Sequence, residues 1–244
     1  MVSSVGTTTG STSLLSQAIS AAKSNAATNA AASSSTATSS SSSSSLSSLG
    51  GNFNQFLTLL TTQLQHQDPS NPTSTDSFTA ELAQFAGVQQ QVQTNTNLTS
   101  LISATQDNQM ASAVSLIGKT TTASTSSLPL QSGTASLSFT APQAGDVAIA
   151  ITDSTGTVVK SETIDASVGT NTWTWDGKNN SGIQLSNGAY TVAVEGSSTD
   201  GTSVALPTTV TGTVTGVSKG SAGVNIDMGS ATINMSDLTG FSST

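Results

Sequence analysis

The sequence of 244 residues contains no cysteine, no arginine and a single histidine, His66. The absence of cysteine excludes disulfides, thiolate catalysis and cysteine-based zinc sites. With five lysines as its only basic residues, the chain lacks the clustered positive surface that binding to phosphate needs, which excludes nucleic acid as a partner. One histidine and no cysteine leave almost no nucleophile–base pair, so we expect no catalytic residues, no cofactor and no metal site.

Charge and aromatic side chains are also scarce. Only 7% of the residues are charged and 4% are aromatic, and the formal net charge is -8. No apolar run approaches the roughly 18 residues of a membrane span. The first twenty residues lack the basic and continuously apolar regions of a cleaved secretion signal. We therefore expect a protein that is cytoplasmic or is exported without a cleaved signal peptide.

Residues 1–50 are rich in Ser, Thr and Ala and include an unbroken serine run at 39–45. The segment has few large apolar residues, and their burial cannot offset the conformational entropy that the chain would lose on folding. We therefore expect it to be a disordered arm related to export. Leu14, Leu15, Ala18 and Ile19 can share one helical face. They predict either a transient helix in a disordered arm or a segment for docking or export.

The pattern becomes helical at Asn52, and residues 51–110 predict an amphipathic helical region for assembly. The first apolar stripe has the helical spacing of three, four and seven and consists of Phe53, Phe56, Leu57, Leu60 and Leu64. It ends at a turn, because a proline moves the preceding residue out of the helical region; the turn contains Gln67, Asp68, Pro69, Asn71 and Pro72. A second stripe follows with Phe78, Leu82 and Phe85. The two stripes predict a helical hairpin that binds partners and other copies of the chain.

Beyond about Ile117 the apolar period changes to two, which indicates β-strands. The sequence DVAIAITD at 146–153 predicts a half-buried strand. Trp173 and Trp175 share one strand face, Gly177 belongs to a turn, and Tyr190 begins the next strand face. We interpret these four as structural residues, although two tryptophans on one face can also form an exposed binding platform. Repeated short strands favour a sandwich or small barrel.

The segment NFNQFLTLLTTQLQHQDPSNPTSTDSFTAELAQF at 52–85 resembles the N-terminal signature of bacterial flagellar hook-capping proteins, in which FL-x-LL-x-x-QL-x-x-QDP-x-NP leads to F-T-x-x-LAQF. SLIGKT at 115–120 and WTWDGKNNSGIQLSNGAYTVAV at 173–194 resemble the family's β region. The resemblance covers about 52–240 and implies an α+β fold that is mostly β in its C-terminal half. It implies an Ig-like or fibronectin-like sandwich at 136–199, inserted in a small Tudor-like barrel split between 111–135 and 200–240.

The same resemblance implies a scaffold rather than an enzyme. Such a cap promotes the assembly of hook subunits at the distal tip of the growing hook and is absent from the finished flagellum. Its implied partners are hook protein subunits, the flagellar type III export apparatus and further copies of itself in a small ring. The alternative is a secreted adhesin or carbohydrate-binding Ig-like protein, which would not need a QDP-x-NP turn between two apolar-faced helices.

Overall fold

The computed structural model describes residues 8–34, 75–198, 200–220 and 223–242. The chain divides into two compact units, one of Met1–Ser34 with Gln106–Thr244 and one of Ser35–Thr105. Within the described residues, helix α1 spans Thr8–Ser34, helix α2 spans Thr75–Ala113, and short 3-10 turns occupy Val114–Leu116 and Met235–Asp237. The strands are β1 (Thr120–Ser124), β2 (Ser127–Leu130), β3 (Ala135–Ala141), β4 (Gly145–Thr152), β5 (Val158–Ala166), β6 (Gly169–Trp175), β7 (Gly188–Ser197), β8 (Ser203–Ala205), β9 (Thr208–Thr213), β10 (Gly216–Gly220), β11 (Gly223–Met228), β12 (Ala231–Asn234) and β13 (Leu238–Ser242).

These strands form three antiparallel sheets. Sheet A has the order β13-β1-β9-β3-β6, sheet B has the order β2-β7-β4-β5 with β8 paired to β7, and sheet C has the order β10-β11-β12. The α+β class with a mostly β C-terminal half is therefore confirmed. Strand β1, before the sandwich, pairs with β13 at the far end of the chain. Strands β2 and β9 also pair with sandwich strands, so the sandwich extends past 136–199 on both sides.

The inner faces of sheets A and B enclose one apolar core, because alternate side chains of their strands point inward. Sheet A contributes Leu137, Phe139, Trp175 and Val210, and sheet B contributes Val147, Ile149, Ile151, Val192 and Val194. Sheet C packs on the same core through Val224, Ile226, Met228 and Ile233. At Gly212 of β9, a Cβ atom would lie 2.7 Å from Met228 Sδ and 2.9 Å from Pro129 Cγ, so only glycine allows this approach between strands.

Helix α1 corrects the expectation of a disordered arm for residues 8–34; the rest of the predicted arm, 1–7 and 35–50, lies outside the described residues. Every fourth residue of α1 is buried, at Leu14, Ala18, Ala22 and Ala26, and this row faces Ala148, Ala150 and Ala193 on the outer face of sheet B. The prediction failed because it required large side chains to offset the entropy of ordering. Alanine loses no side-chain entropy, and alanine facing alanine brings a helix backbone close to a sheet.

The strand predicted at 146–153 is present as β4, but the expectation that it is half-buried is wrong. Strand β4 is buried on both faces: Val147, Ile149 and Ile151 face the core, while Ala148 and Ala150 lie beneath α1. The alternation of large and small residues was read correctly. The small residues nevertheless mark a second covered face, because the helix needs shallow side chains beneath it.

Candidate assembly surfaces

The two predicted apolar stripes lie largely beyond what the structure describes. Outside the described residues are Phe53, Phe56, Leu57, Leu60, Leu64, Gln67, Asp68, Pro69, Asn71 and Pro72. Phe78, Leu82 and Phe85 fall within α2, which is described at these positions by its backbone alone. The assignment of these thirteen residues to partner binding and self-assembly therefore stays a prediction.

Helix α2 exposes several large apolar side chains to solvent. Val88, Leu98, Leu101 and Ile102 are exposed, Leu101 by as much as 63%. Leu98, Leu101 and Ile102 have the i, i+3, i+4 spacing that places side chains on one helical face. We call these four residues the apolar face of α2. A monomeric protein seldom leaves such a cluster in water, so the face has the character of a partner site.

Much of the remaining exposed α2 surface consists of hydroxyl and amide side chains, although Asp107 and Met110 are exposed as well. Thr94, Thr96, Thr99 and Ser100 each donate a hydroxyl hydrogen bond to the carbonyl four residues earlier, at 2.8–3.0 Å. These hydroxyls are satisfied by their own helix and have no need of a partner. Among the described residues of this helix, a partner would therefore gain most from the apolar face.

Hydrogen bonds fix α1 on sheet B in addition to its buried row. The Asn25 side-chain amide donates to Val192 O at 3.4 Å, and the Asn29 amide donates to Thr191 Oγ1 at 3.3 Å. The Thr152 hydroxyl donates to Ala22 O at 3.3 Å. These groups lie beside the alanine contact. The docking site of α1 on sheet B, which we call the α1 seat, therefore combines small apolar side chains with a few hydrogen bonds.

The two tryptophans of β6 face the inside of the sandwich. Trp175 is 1% exposed, its indole N–H donates to Lys178 O at 2.8 Å, and its ring meets Tyr190 edge-on with centroids 5.0 Å apart. Trp173 is half-buried and donates to Glu162 Oε1 at 2.7 Å. Trp175 is thus closed to solvent, and Trp173 is only partly exposed. The two residues therefore do not form the exposed platform that a carbohydrate-binding protein would use.

Gly177 and Tyr190 complete the surroundings of Trp175. Gly177 has a φ of +69°, and a Cβ there would lie 2.6 Å from Gly133 O, so both backbone and space require glycine. The Tyr190 hydroxyl donates to Ser186 O at 2.9 Å. Burial, with a smaller contribution from the negative charge of Asp153, raises the pKa of Tyr190 above its ordinary value. This phenol stays protonated at neutral pH and keeps its role as a donor.

The loop at 176–182 is closed by its own side chains. Asn179 Oδ1 accepts from the backbone N–H groups of Ser181 at 3.0 Å and Ile183 at 2.9 Å, while Asp176 Oδ1 accepts from Lys178 N at 3.1 Å. These bonds belong to a turn between strands. In the part of the chain that the structure describes, no group of three His, Cys, Asp or Glu side chains is placed to hold a metal ion.

Known proteins match most of this chain. The family model for the N-terminal region of the flagellar hook capping protein matches residues 10–100, and the model for the Ig-like domain of FlgD matches residues 124–200. The basal-body rod modification protein FlgD of Salmonella typhimurium is 31% identical over 186 residues, covering 72% of this chain and 80% of the relative. The chain belongs to the flagellar hook-capping protein family. The Escherichia coli K12 relative is 32% identical over the same length, with the same coverage of both chains.

Solved FlgD structures are similar to part of the chain. The crystal structure of FlgD from Xanthomonas campestris, whose title refers to hook capping essential for flagellar assembly, is 26% identical. The match covers 55% of this chain and 99% of that one, with a TM-score of 0.47. Among the described residues of this family member, no helix is both long and apolar enough to cross a membrane.

Sequence reasoning missed the α1 seat as a feature of this hook-capping protein. The resemblance was placed at 52–240, whereas the family model begins at residue 10 and so includes most of α1. A signal was present in the spacing of four from Leu14 to Ala26 and in the alanines at outward positions of β4 and β7. Each signal is weak alone, because alanine occurs on exposed and covered faces alike. Together they describe two complementary surfaces.

Proposed function

We propose that this chain caps the growing flagellar hook: it sits at the distal tip, promotes the insertion of hook subunits and is absent from the finished flagellum. The match to curated hook-capping relatives over 186 residues carries the proposal. The signature at 52–85 supports it, since QDP-x-NP between two apolar-faced segments is a specific pattern. The role is that of a scaffold rather than an enzyme.

The apolar face of α2 and the predicted stripe at 53–64 form the surface for hook subunits and for other copies. Apolar side chains exposed on a helix provide an interface core once a partner removes them from water. In the described β region most large apolar side chains are buried in one core, and the exposed ones, such as Val168, Ile183 and Phe241, lie on separate loops and strands. In the proposed cap it is the rigid body that carries the assembly helices.

The proposed route to the tip is the flagellar type III export apparatus, from the cytoplasm and without a cleaved signal peptide. A cysteine-free chain suits such a route, because it has no disulfide to form before or after transport. The adhesin alternative gains no support, because Trp173 and Trp175 face the sandwich interior.

Genetic complementation tests the function. In a strain that lacks the gene, the wild-type chain should restore motility and hooks seen on basal bodies by electron microscopy. Leu98→Asp places a charge on the apolar face of α2 and should reduce hook formation at least tenfold. Ser100→Asp is the matched control, since it adds the same charge to an exposed hydroxyl position of the same helix. A Leu98→Asp strain with normal hooks would argue against this face as the assembly surface.

Self-association is measured separately by sedimentation velocity on the purified full chain. Leu98→Asp and Leu60→Asp should lower the association constant, whereas Ser100→Asp should not. The full chain is needed because a fragment of 111–244 would lack α1 and expose the alanine face of sheet B. A complementing wild-type chain that stays monomeric at all concentrations would remove self-association from the proposal and leave hook assembly standing.

A further inference from the structure

The segment 35–105, which carries the predicted assembly residues, is connected to the β region at both of its ends. On its N-terminal side the chain passes directly into α1, which is docked on sheet B. On its C-terminal side it continues into the last turns of α2. Ala113, at the end of α2, is fully buried in the main core, and Lys219 Nζ lies 2.8 Å from Asp107 Oδ1. The docking of α1 therefore gives this segment a second point of attachment, in addition to the one through α2.

The two attachments differ in strength. The C-terminal one is continuous with the folded chain and leads directly into β1. The N-terminal one depends on buried Leu14, on three buried alanines, on the partly buried Leu15 and Ile19, and on hydrogen bonds of 3.3–3.4 Å. A contact of this size opens more readily than the sandwich core, in the way that peripheral elements open before global unfolding.

Holding both ends of a segment has a direct physical effect. A chain segment that is held at both ends has fewer conformations open to it, so less entropy is lost when it binds a partner. We infer that α1 is an anchor: its docking on Ala148, Ala150 and Ala193 holds the N-terminal end of segment 35–105 and thereby promotes self-association of the chain. The inference rests on the proposed function, in which that segment joins copies of the chain.

Leu14→Asp tests the anchor in the full chain. A carboxylate cannot remain in the apolar seat, so docking of α1 should weaken by about tenfold or more. Hydrogen exchange should then show loss of protection at residues 12–30, with protection of the sandwich strands retained. The association constant from sedimentation velocity should fall several-fold. Ser24→Asp, on the exposed side of α1, introduces the same charge and should change neither measurement.

A reversible cross-link separates anchoring from direct contact between α1 and a partner. Thr152 Oγ1 and Ala22 O are 3.3 Å apart, and the chain has no cysteine of its own. We would introduce Ala22→Cys and Thr152→Cys into the Leu14→Asp chain and follow disulfide formation by thiol titration. Oxidation should restore association, and a reductant should abolish it again. A chain that stays dissociated when oxidised would mean that Leu14 acts by touching a partner, which overturns the anchor.

The outcomes also separate this inference from the function on which it rests. If Leu14→Asp undocks α1 by hydrogen exchange and associates as strongly as wild type, the anchor is wrong while cap assembly stands. If Leu14→Asp associates more strongly, α1 restrains assembly, and the anchor is again wrong. A wild-type chain that never self-associates would refute both the anchor and the proposed self-association, without touching the evidence for family membership.

Discussion

The two sheets of the sandwich have similar inner faces and opposite outer faces. On sheet A, a row of hydroxyl side chains crosses four strands from Thr122 through Thr211 and Ser136 to Thr174, all at least partly exposed to solvent. On sheet B, the corresponding outward positions of β4 and β7 hold Ala148, Ala150 and Ala193, and α1 covers them. The comparison shows that the outward residues of a strand decide whether a further layer can pack there. Threonine stays in water, whereas alanine accepts a helix.

The largest effect should come from the inner layer that both sheets share. Trp175→Ala removes a fully buried indole, its edge-on contact with Tyr190 and its hydrogen bond to Lys178 O. The free energy of unfolding should fall by about 3–5 kcal/mol. Urea denaturation followed by far-UV circular dichroism measures this loss. Trp173→Ala should cost less because Trp173 is only half-buried; equal losses would mean that burial does not set the cost here.

A matched pair of charges tests the outer faces directly. Ala150→Asp puts a carboxylate beneath α1 and should cost about 2 kcal/mol, because either the charge is buried or the helix leaves. Ser138→Asp puts the same charge on a central strand of sheet A and should change stability by no more than about 0.5 kcal/mol. Hydrogen exchange locates the damage, which for Ala150→Asp should be confined to residues 12–30. Similar costs for the two variants would refute the difference between the faces.

A smaller effect, opposite in sign, is expected inside sheet A. Thr121 is fully buried, and its Oγ1 has no hydrogen-bond partner among the described residues. Thr121→Val keeps the shape and removes the unsatisfied hydroxyl, so the free energy of unfolding should rise by up to about 1 kcal/mol. Thr122→Val, on the outer face of the same strand, is the control and should gain nothing. A destabilised Thr121→Val would show that the hydroxyl is satisfied in solution.

The smallest effect concerns the turn after β4 and depends on pH. Slight burial raises the pKa of the Asp153 carboxyl, but hydrogen bonds from Thr155 and Thr157 outweigh it, so the net pKa lies below its ordinary value. A lowered folded-state pKa stabilises above the unfolded value of about 4 and loses this effect as the pH falls through the folded value. Asp153→Asn should therefore cost below about 0.5 kcal/mol at pH 7, since solvent screens this site. The difference from wild type should vanish near pH 2 in urea titrations; a gap that is constant with pH would contradict the charge argument.

Much of the β region follows from sequence pattern. Alternation in β3 and β6 separates inward Leu137, Phe139 and Trp175 from outward Ser and Thr. Asp176-Gly177 follows β6, and Asn187-Gly188 marks the start of β7. Strands β3 and β6 can be predicted from the sequence because their two faces differ in polarity. The positions of β2 and β9 are harder to predict, because the sheet that a short strand joins depends on pairing with strands far along the chain.

Helix α1 and the second covered face of sheet B could not be derived in the same way. Alanine at 18, 22 and 26 is equally compatible with a solvent-exposed helix. The surface of sheet B that receives α1 lies far along the chain, so the sequence around these alanines does not indicate it. The assembly residues at 53–72 have the clearest motif in the chain but lie outside the described residues. A strong local pattern predicts an element well, while a contact between two weak patterns appears only once the fold is known.

The position of α1 in the chain also sets an order of events. Asn25 bonds to Val192, 167 residues later, and Ala22 accepts a bond from Thr152, 130 residues later. A chain that becomes available from its N-terminus therefore presents α1 long before the two strands that receive it exist. Contacts over such separations form late, because the intervening loop must close first. Helix α1 therefore comes early in the chain but cannot reach its native place before β4 and β7 have formed.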